Sequence, residues 1–287
     1  MKRAALTTLL ALSTIFVGAP AAAKPRPSVP PFKHVLVVVF ENKERDEITG
    51  SAAAPTFASL AHRYAALTGY TGVAHPSLPN YLALVSGSTH GITDDCTDCR
   101  VSGASLADTL SAAGKTWKTY AEGLPSVGST DASAGRYAKK HDPFLYFTHV
   151  LDRPQWLARV VPYTQLRADV RARRLPDFSL VVPDLCNDMH DCSVDTGDRW
   201  LKENIVPLLA SPALAGGVVF VVFDEGRSST GGGGSVAALA AGPAVKRGTT
   251  FKSAANHYSL LRTVEQAWDL PLLGRSAHVL PITGIWH

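Results

Sequence analysis

Residues 33–40 (KHVLVVVF), 177–183 (DFSLVVP) and 217–223 (GVVFVVF) each carry a nearly unbroken apolar run rich in β-branched side chains. A run that is apolar at every position, and not at alternate ones, suits a strand covered on both faces in a parallel sheet. Each run also ends in polar residues: Glu41-Asn42 after the first, Asn187-Asp188-Met189-His190-Asp191 after the second, Asp224-Glu225-Gly226 after the third. Between them the period changes. Residues 54–66 repeat Phe57, Leu60, Ala61 and Tyr64 at helical spacing, as do residues 105–113, 163–174 and 195–210, the last with Trp200, Leu201, Ile205, Leu208 and Leu209 on its apolar side. Shorter strands are expected at 67–73, 115–120 and 236–241, and a helix opens at Asn256-His257. The basic residues between Arg153 and Arg174 fall in a helix-like stretch and read as a solvated face. Strands alternating with helices predict an α/β fold with a mostly parallel sheet and helices on both faces.

Two stretches break the alternation. Residues 121–151 are rich in Gly, Ser and Pro yet hold Glu122, Arg136, Tyr137, Lys139, Lys140, His141 and Asp142, a density that points to a site-forming segment. Residues 227–235, with four consecutive glycines, read as a flexible loop. They lack the Lys-Ser/Thr ending of a phosphate-binding loop.

At 287 residues, 46% hydrophobic and 18% charged, the chain can bury one large core. Its N-terminus has Lys2 and Arg3, an apolar run over residues 4–17 and then Ala19-Pro20-Ala21-Ala22-Ala23, the layout of a secretory signal. The run is shorter than the roughly 20 residues a membrane span needs, so no stable span is expected. Cleavage after Ala23 is predicted, leaving a single domain over residues 24–287. Removing Lys2 and Arg3 from the 28 basic residues leaves 26 against 24 acidic ones, a net charge of +2 that argues against a nucleic-acid partner. Four cysteines in an exported chain favour disulfides, and of three connectivities the local one, Cys96–Cys99 with Cys186–Cys192, is preferred. Cys96-Thr97-Asp98-Cys99 has neither a thioredoxin-like context nor a second CxxC to complete a zinc site. A 186–192 bridge would hold Asp188 and His190 in a small loop.

The remaining organising stretch is His75-Pro76-Ser77-Leu78-Pro79-Asn80-Tyr81, continuing through Leu84-Val85-Ser86-Gly87 to His90-Gly91-Ile92. Ser77 stands where a helical pattern begins. It is a natural N-cap, and the same geometry also draws anions to free N–H groups. Glu41, Asn42, Asp224 and Glu225 are hard oxygen ligands that repel one another when gathered unless a divalent cation lies among them. A metal beside Ser77 would lower the hydroxyl's pKa and make it a nucleophile. Asp188, His190 and His257 would hold a second metal or handle the leaving-group proton.

These motifs, with Tyr137-Ala138-Lys139-Lys140-His141 and Asn256-His257-Tyr258-Ser259, resemble the bacterial phosphoesterase family of the alkaline phosphatase superfamily, and within it the short actinobacterial secreted acid phosphatases, some of which act on phosphatidylinositol 3-phosphate. The resemblance implies an alkaline-phosphatase-like fold and a secreted phosphomonoesterase, with a phospholipase C or other phosphodiesterase as the alternative. It implies Ser77 as nucleophile, with His190 and His257 catalytic. Metal ligands would be Glu41, Asn42, Asp188, Asp224 and Glu225, and Lys140 and His141 would lie near the phosphate. Beside the resemblance, Asn80 and His75 are candidates to bind substrate, His75 being equally open to a role as general base or a structural one. The superfamily's zinc enzymes have an Asp-His pair where this chain has Asp224-Glu225, which shifts the expected ion from zinc toward Ca²⁺, Mg²⁺ or Mn²⁺. A lipid headgroup is among the implied substrates. The competing class is a non-catalytic binding protein that keeps the fold; the full set of ionisable residues argues against it.

Overall fold

A computed structural model describes Met1 and residues 29–287; the signal segment and its cleavage point lie outside the described residues. The strands are β1 (Val35–Phe40), β2 (Ala65–Leu67), β3 (Tyr70–Thr71), β4 (Trp117–Ala121), β5 (Ser133–Ala134), β6 (Tyr137–Ala138), β7 (Val160–Pro162), β8 (Phe178–Val182), β9 (Val218–Phe223), β10 (Ala238–Ala241), β11 (Thr249–Phe251) and β12 (Ala255–Asn256). Eight of them form one sheet in the order β11-β2-β10-β9-β1-β8-β4-β7. Every pairing in it is parallel except those of β10, which runs antiparallel to β9 and β2. All residues of β1, β8 and β9 are buried, so both faces of the sheet centre are covered, as their unbroken apolar runs require. One contiguous core joins the sheet to the surrounding helices.

Several expected elements end or divide elsewhere. The helix of residues 54–66 closes at Arg63, and the strand expected over 67–73 is split between β2 and β3. The helix expected over 195–210 runs Val194–Asn204, stops at Ile205 and resumes as Val206–Leu209. Pro207 has no N–H to continue the first ladder and suits the first turn of the second. The segment from Arg153 to Arg174 is not one helix: a turn over Pro154–Leu157 leads into β7, and only Thr164–Arg171 is a full helix. Val160 and Val161 pair with β4 at the sheet edge, so tertiary pairing overrides a locally helical pattern.

The register of the central strands builds the site. Phe40 lies beside Phe223, so the next residues, Glu41 and Asp224, leave adjacent parallel strands together, with Asp224 N–H donating to Phe40 C=O at 2.9 Å. On the other side of β1, Glu41 N–H donates to Asp188 C=O at 2.8 Å. Three acidic residues far apart in sequence thus meet outside the carboxyl ends of β1, β8 and β9, where open α/β sheets place their ligands. Both local disulfides, Cys96–Cys99 and Cys186–Cys192, are present.

Candidate active site

Ser77 is not the cap of its helix. The helix spans Ser77–Ser86 with Pro76 at the capping position, and the Ser77 hydroxyl donates instead to Glu41 Oε2 at 2.9 Å, with Glu225 Oε1 at 3.5 Å. The orphan N–H of Leu78 is satisfied by Asp95 Oδ1 at 2.9 Å, a residue from a loop 17 positions on. Ser77 is 1% exposed and Glu41 fully buried, so the hydroxyl faces a carboxylate where water does not compete.

Glu41 is the hub. Its Oε1 accepts from the Tyr81 hydroxyl, and its Oε2 lies 3.2 Å from His141 Nε2. The His141 ring stacks on Tyr81 (centroids 5.2 Å apart, planes at 13°), and its Nδ1 is 3.3 Å from Asp188 Oδ2. Burial disfavours the Glu41 carboxylate, but the charge of the His141 ring beside it and the hydrogen bond from the Tyr81 hydroxyl outweigh it and hold the group below the usual range. His141 moves the other way: burial works against its charge, and Glu41 and Asp188 more than restore it. The other carboxyls are left short of positive charge. Burial, then the Glu41 charge, pushes Asp224 well up, and burial lifts Asp188 to about 6 against the pull of the neighbouring His141 ring. Glu225 is raised by burial despite its contact with His75.

That imbalance fits a cation. One ligand atom from each of Glu41, His141 and Asp188 lies within 4.8 Å of the others, all three side chains being buried. His141 Nε2, Asp188 Oδ2 and Asp224 Oδ2 are buried with no hydrogen-bond partner, as ligand atoms awaiting an ion would be. Asp94, Cys96 and Cys99 also cluster, but the two sulfurs are bonded to each other and offer no thiolate.

The remaining expected site residues divide. His141, expected at the substrate, lies in the buried cation cluster. Asn80, also expected there, is 1% exposed and fully used in the turn before Ser77: its Oδ1 accepts from Val73 N–H (2.8 Å) and Ala74 N–H (3.1 Å), and its Nδ2 donates to Ala74 C=O (2.8 Å) and Pro76 C=O (3.1 Å). His257, expected to be catalytic, is 1% exposed, with Nε2 on Asp224 C=O at 2.6 Å and Nδ1 on the Tyr70 hydroxyl at 3.1 Å. Burial lowers it to about 4, so it is a neutral ring that fixes the Asp224 main chain and has no free nitrogen for proton transfer. Asn42 enters through its main chain, in the left-handed region at φ 56°, with its N–H on Asp224 Oδ1 at 3.0 Å. His75 spans Glu225 and Ser228 C=O (3.0 Å) and is partly exposed. Lys140 Nζ lies 2.9 Å from Asp95 Oδ2 and 3.4 Å from His190 Nε2, while His190 Nδ1 is 2.7 Å from Asp191 Oδ1.

Three contributors were not singled out by sequence. Tyr81 reads as an apolar helix position; the signal is that a buried tyrosine hydroxyl requires a partner. Asp95 has no motif around it. Glu44 carries the best local clue, Glu47 three residues on, whose Oε2 accepts the Glu44 N–H at 2.9 Å. The Glu44 carboxylate accepts from Arg227 N–H (2.7 Å), Ser228 N–H (3.0 Å), Ser228 Oγ (2.9 Å) and Ser235 N–H (2.9 Å), which pins the glycine-rich segment. That segment is therefore packed and not a free loop. A Cβ on Gly232 would meet Val73 O at 2.5 Å and one on Gly233 would meet Ala74 O at 2.5 Å. The glycines let one backbone lie directly on the turn between β3 and Ser77.

Residues 51–271 match the model of the Phosphoesterase family. The chain is 37% identical over 262 residues to the phosphatidylinositol-3-phosphatase of Mycobacterium tuberculosis (strain ATCC 25618 / H37Rv), covering 90% of this chain and 84% of that protein. It is 31% identical over 266 residues to a probable acid phosphatase of Kluyveromyces lactis, covering 88% of this chain but only 62% of the yeast protein. Among solved structures, a protein in the alkaline phosphatase superfamily from Vibrio parahaemolyticus superposes with a TM-score of 0.60 at 13% identity, over 88% of this chain and 72% of that one. Murine ectonucleotide pyrophosphatase / phosphodiesterase 5 does so with a TM-score of 0.57 at 14% identity, over 88% of this chain and 100% of that one. At such identities the structures attest the fold, which is that of the alkaline phosphatase superfamily. The family match and the mycobacterial relative go further: the chain belongs to the Phosphoesterase family.

Proposed function

We propose that this protein is an exported, metal-dependent phosphomonoesterase with Ser77 as its nucleophile. The observation that carries the reading is the direction of the Ser77 hydroxyl, turned away from its helix and onto Glu41 inside a buried group of four carboxylates. A serine kept only to cap would face its own N–H groups. The mycobacterial relative, a phosphatidylinositol-3-phosphatase, supports a monoester substrate that includes phosphoinositide headgroups. Export rests on the N-terminal signal pattern and agrees with two disulfides.

Ser77 Oγ attacks phosphorus in line with the leaving oxygen, and its proton departs along the hydrogen bond to Glu41. The bond from phosphorus to the leaving oxygen breaks, its electron pair stays on that oxygen, and His190 at the mouth supplies the proton. Water then attacks the phosphoserine, giving its proton to the His190 ring that lost one in the first step, as the P–Oγ bond breaks and Ser77 Oγ takes back the proton held on Glu41. Lys140 neutralises the phosphoryl oxygens throughout. Tyr81 holds Glu41 in place through its hydroxyl. A divalent ion held by Glu41, His141, Asp188 and Asp224, with Asn42 and Glu225 beside them, would polarise the phosphoryl group and favour the alkoxide of Ser77. Predominantly carboxylate donors with one imidazole suit Mg²⁺ or Mn²⁺ better than the nitrogen- and sulfur-rich sites typical of zinc.

The purified mature chain is expected to hydrolyse p-nitrophenyl phosphate faster than bis(p-nitrophenyl) phosphate, and to lose that activity on chelation or in Ser77→Ala. Full activity in either case overturns the mechanism, and faster diester turnover moves the assignment to a phosphodiesterase.

A further inference from the structure

We propose that Asp95 is a built-in occupant of the phosphate subsite: its carboxylate sits on two donors that a substrate phosphoryl group takes over, and substrate must displace it. The inference rests on the phosphatase reading above and adds a determinant of affinity and substrate class to it.

The argument begins with the helix that Ser77 opens. With the Ser77 hydroxyl committed to Glu41, the N–H of Leu78, next to the nucleophile, is free to take an anion at a positive helix end. Asp95 supplies one. Its Oδ1 accepts from Leu78 N–H at 2.9 Å while its Oδ2 accepts from Lys140 Nζ at 2.9 Å. A single carboxylate therefore bridges the amide beside the attacking oxygen and a cation of the same site, as two oxygens of a bound phosphoryl group would. The pair lies on the accessible side, the Asp95 side chain being 28% exposed and that of Lys140 20%, unlike the buried cluster beneath.

The loop that carries Asp95 is lightly tied. Among the described residues, no backbone–backbone hydrogen bond involves positions 93–100, between Ile92 N–H on Thr89 C=O and Val101 N–H on Tyr146 C=O. What holds the loop is the packing of the bridged Cys96 and Cys99 against the core, Cys96 N–H on Asp94 Oδ1 at 3.2 Å, Lys139 Nζ on Thr97 C=O at 2.8 Å, and Asp95 itself. Displacing the carboxylate thus costs two charge-assisted contacts and little backbone structure. The competition is selective. A monoester dianion brings more charge and more oxygens to Lys140 and Leu78 N–H than a carboxylate does, whereas a diester monoanion is more evenly matched with Asp95. The residue thereby favours monoesters.

Asp95→Asn tests this, because the amide oxygen can still accept from Leu78 N–H while the charge opposing phosphate is gone. Binding of inorganic phosphate to the metal-loaded protein is measured by calorimetry, with KM and kcat for p-nitrophenyl phosphate and its diester alongside. The expected result is tighter phosphate binding and lower monoester KM by about tenfold, equivalent to about 1.4 kcal/mol, with a smaller change in kcat and a narrowed preference for monoester. Lys140→Gln is expected to weaken phosphate binding and to abolish the gain in the double variant. Should Asp95→Asn fold poorly by thermal melting, Asp95→Ser gives the same comparison. Wild-type turnover with phosphate affinity unchanged or weakened in the Asp95 variants overturns the proposal alone. Tighter phosphate binding in those variants with no wild-type turnover of any phosphate ester upholds the subsite and overturns the phosphatase reading.

Discussion

Ser77 turns its one hydroxyl away from its own helix to Glu41, and the N–H of Leu78 is left to Asp95. The same division of labour runs through the neighbouring side chains. Tyr81 gives its hydroxyl to Glu41, so Tyr81→Phe leaves Glu41 Oε1 buried without its donor and is expected to cost about 1–3 kcal/mol, read by urea denaturation. A loss near zero would mean that water replaces the phenol. Away from the site, Glu265 is fully buried, with Oε1 accepting from Leu273 N–H at 2.8 Å and Oε2 unpartnered. Burial lifts it from 4.5 to about 7 against hydrogen bonds from Ser276 and Leu273. The folded chain then holds this proton more tightly than the unfolded chain. Its contribution to stability is greatest below pH 4.5, falls as pH rises from 4.5 to about 7, and is constant above. Glu265→Gln is expected to flatten that slope in pH-dependent melting, and an unchanged slope contradicts the assignment.

At the scale of elements, the glycine-rich segment shows how a sequence signal can be correct in kind and wrong in consequence. Four consecutive glycines cannot fill a core, but they let backbone approach backbone, and Glu44 fastens the result with four hydrogen bonds. Gly233→Ala is expected to shift the turn at Val73 and Ala74 that leads into Ser77 and lower kcat. Glu44→Ala is expected to expose residues 227–235 to limited proteolysis; equal resistance in variant and parent would show that the glycine packing alone suffices. The three long strands were legible because burial on both faces demands an unbroken apolar run. The strand β7 was not, since three residues at a sheet edge carry too little pattern to compete with the helical spacing around them. Asp95, Tyr81 and Glu44 were hidden for another reason: each acts through a partner distant in sequence, and only the folded chain supplies that partner. The roles expected of Asn80 and His257 changed because their polar atoms are consumed in holding the turn and the Asp224 main chain.

Across the whole molecule, sheet register is what turns scattered acids into a site. Pairing Phe40 with Phe223 fixes Glu41 beside Asp224, and the 186–192 bridge closes the loop that brings Asp188 to Glu41. Because this cluster carries more carboxylate than its one imidazole can balance, a bound divalent ion is expected to stabilise the fold by about 2.7 kcal/mol at a hundredfold excess over its Kd. Thermal melting with and without Mn²⁺ reads this directly, and Glu41→Gln is expected to remove most of the shift; an equal shift in that variant places the ion elsewhere.

The claim on which the account depends is that Ser77 becomes covalently phosphorylated. Acid quenching of the metal-loaded protein during turnover of p-nitrophenyl phosphate, followed by peptide mass spectrometry, tests it most directly. The account predicts one phosphoryl group on the peptide that begins the Ser77–Ser86 helix, absent in Ser77→Ala along with turnover. Sustained turnover by Ser77→Ala, or a phosphoryl group carried by another residue, would contradict it.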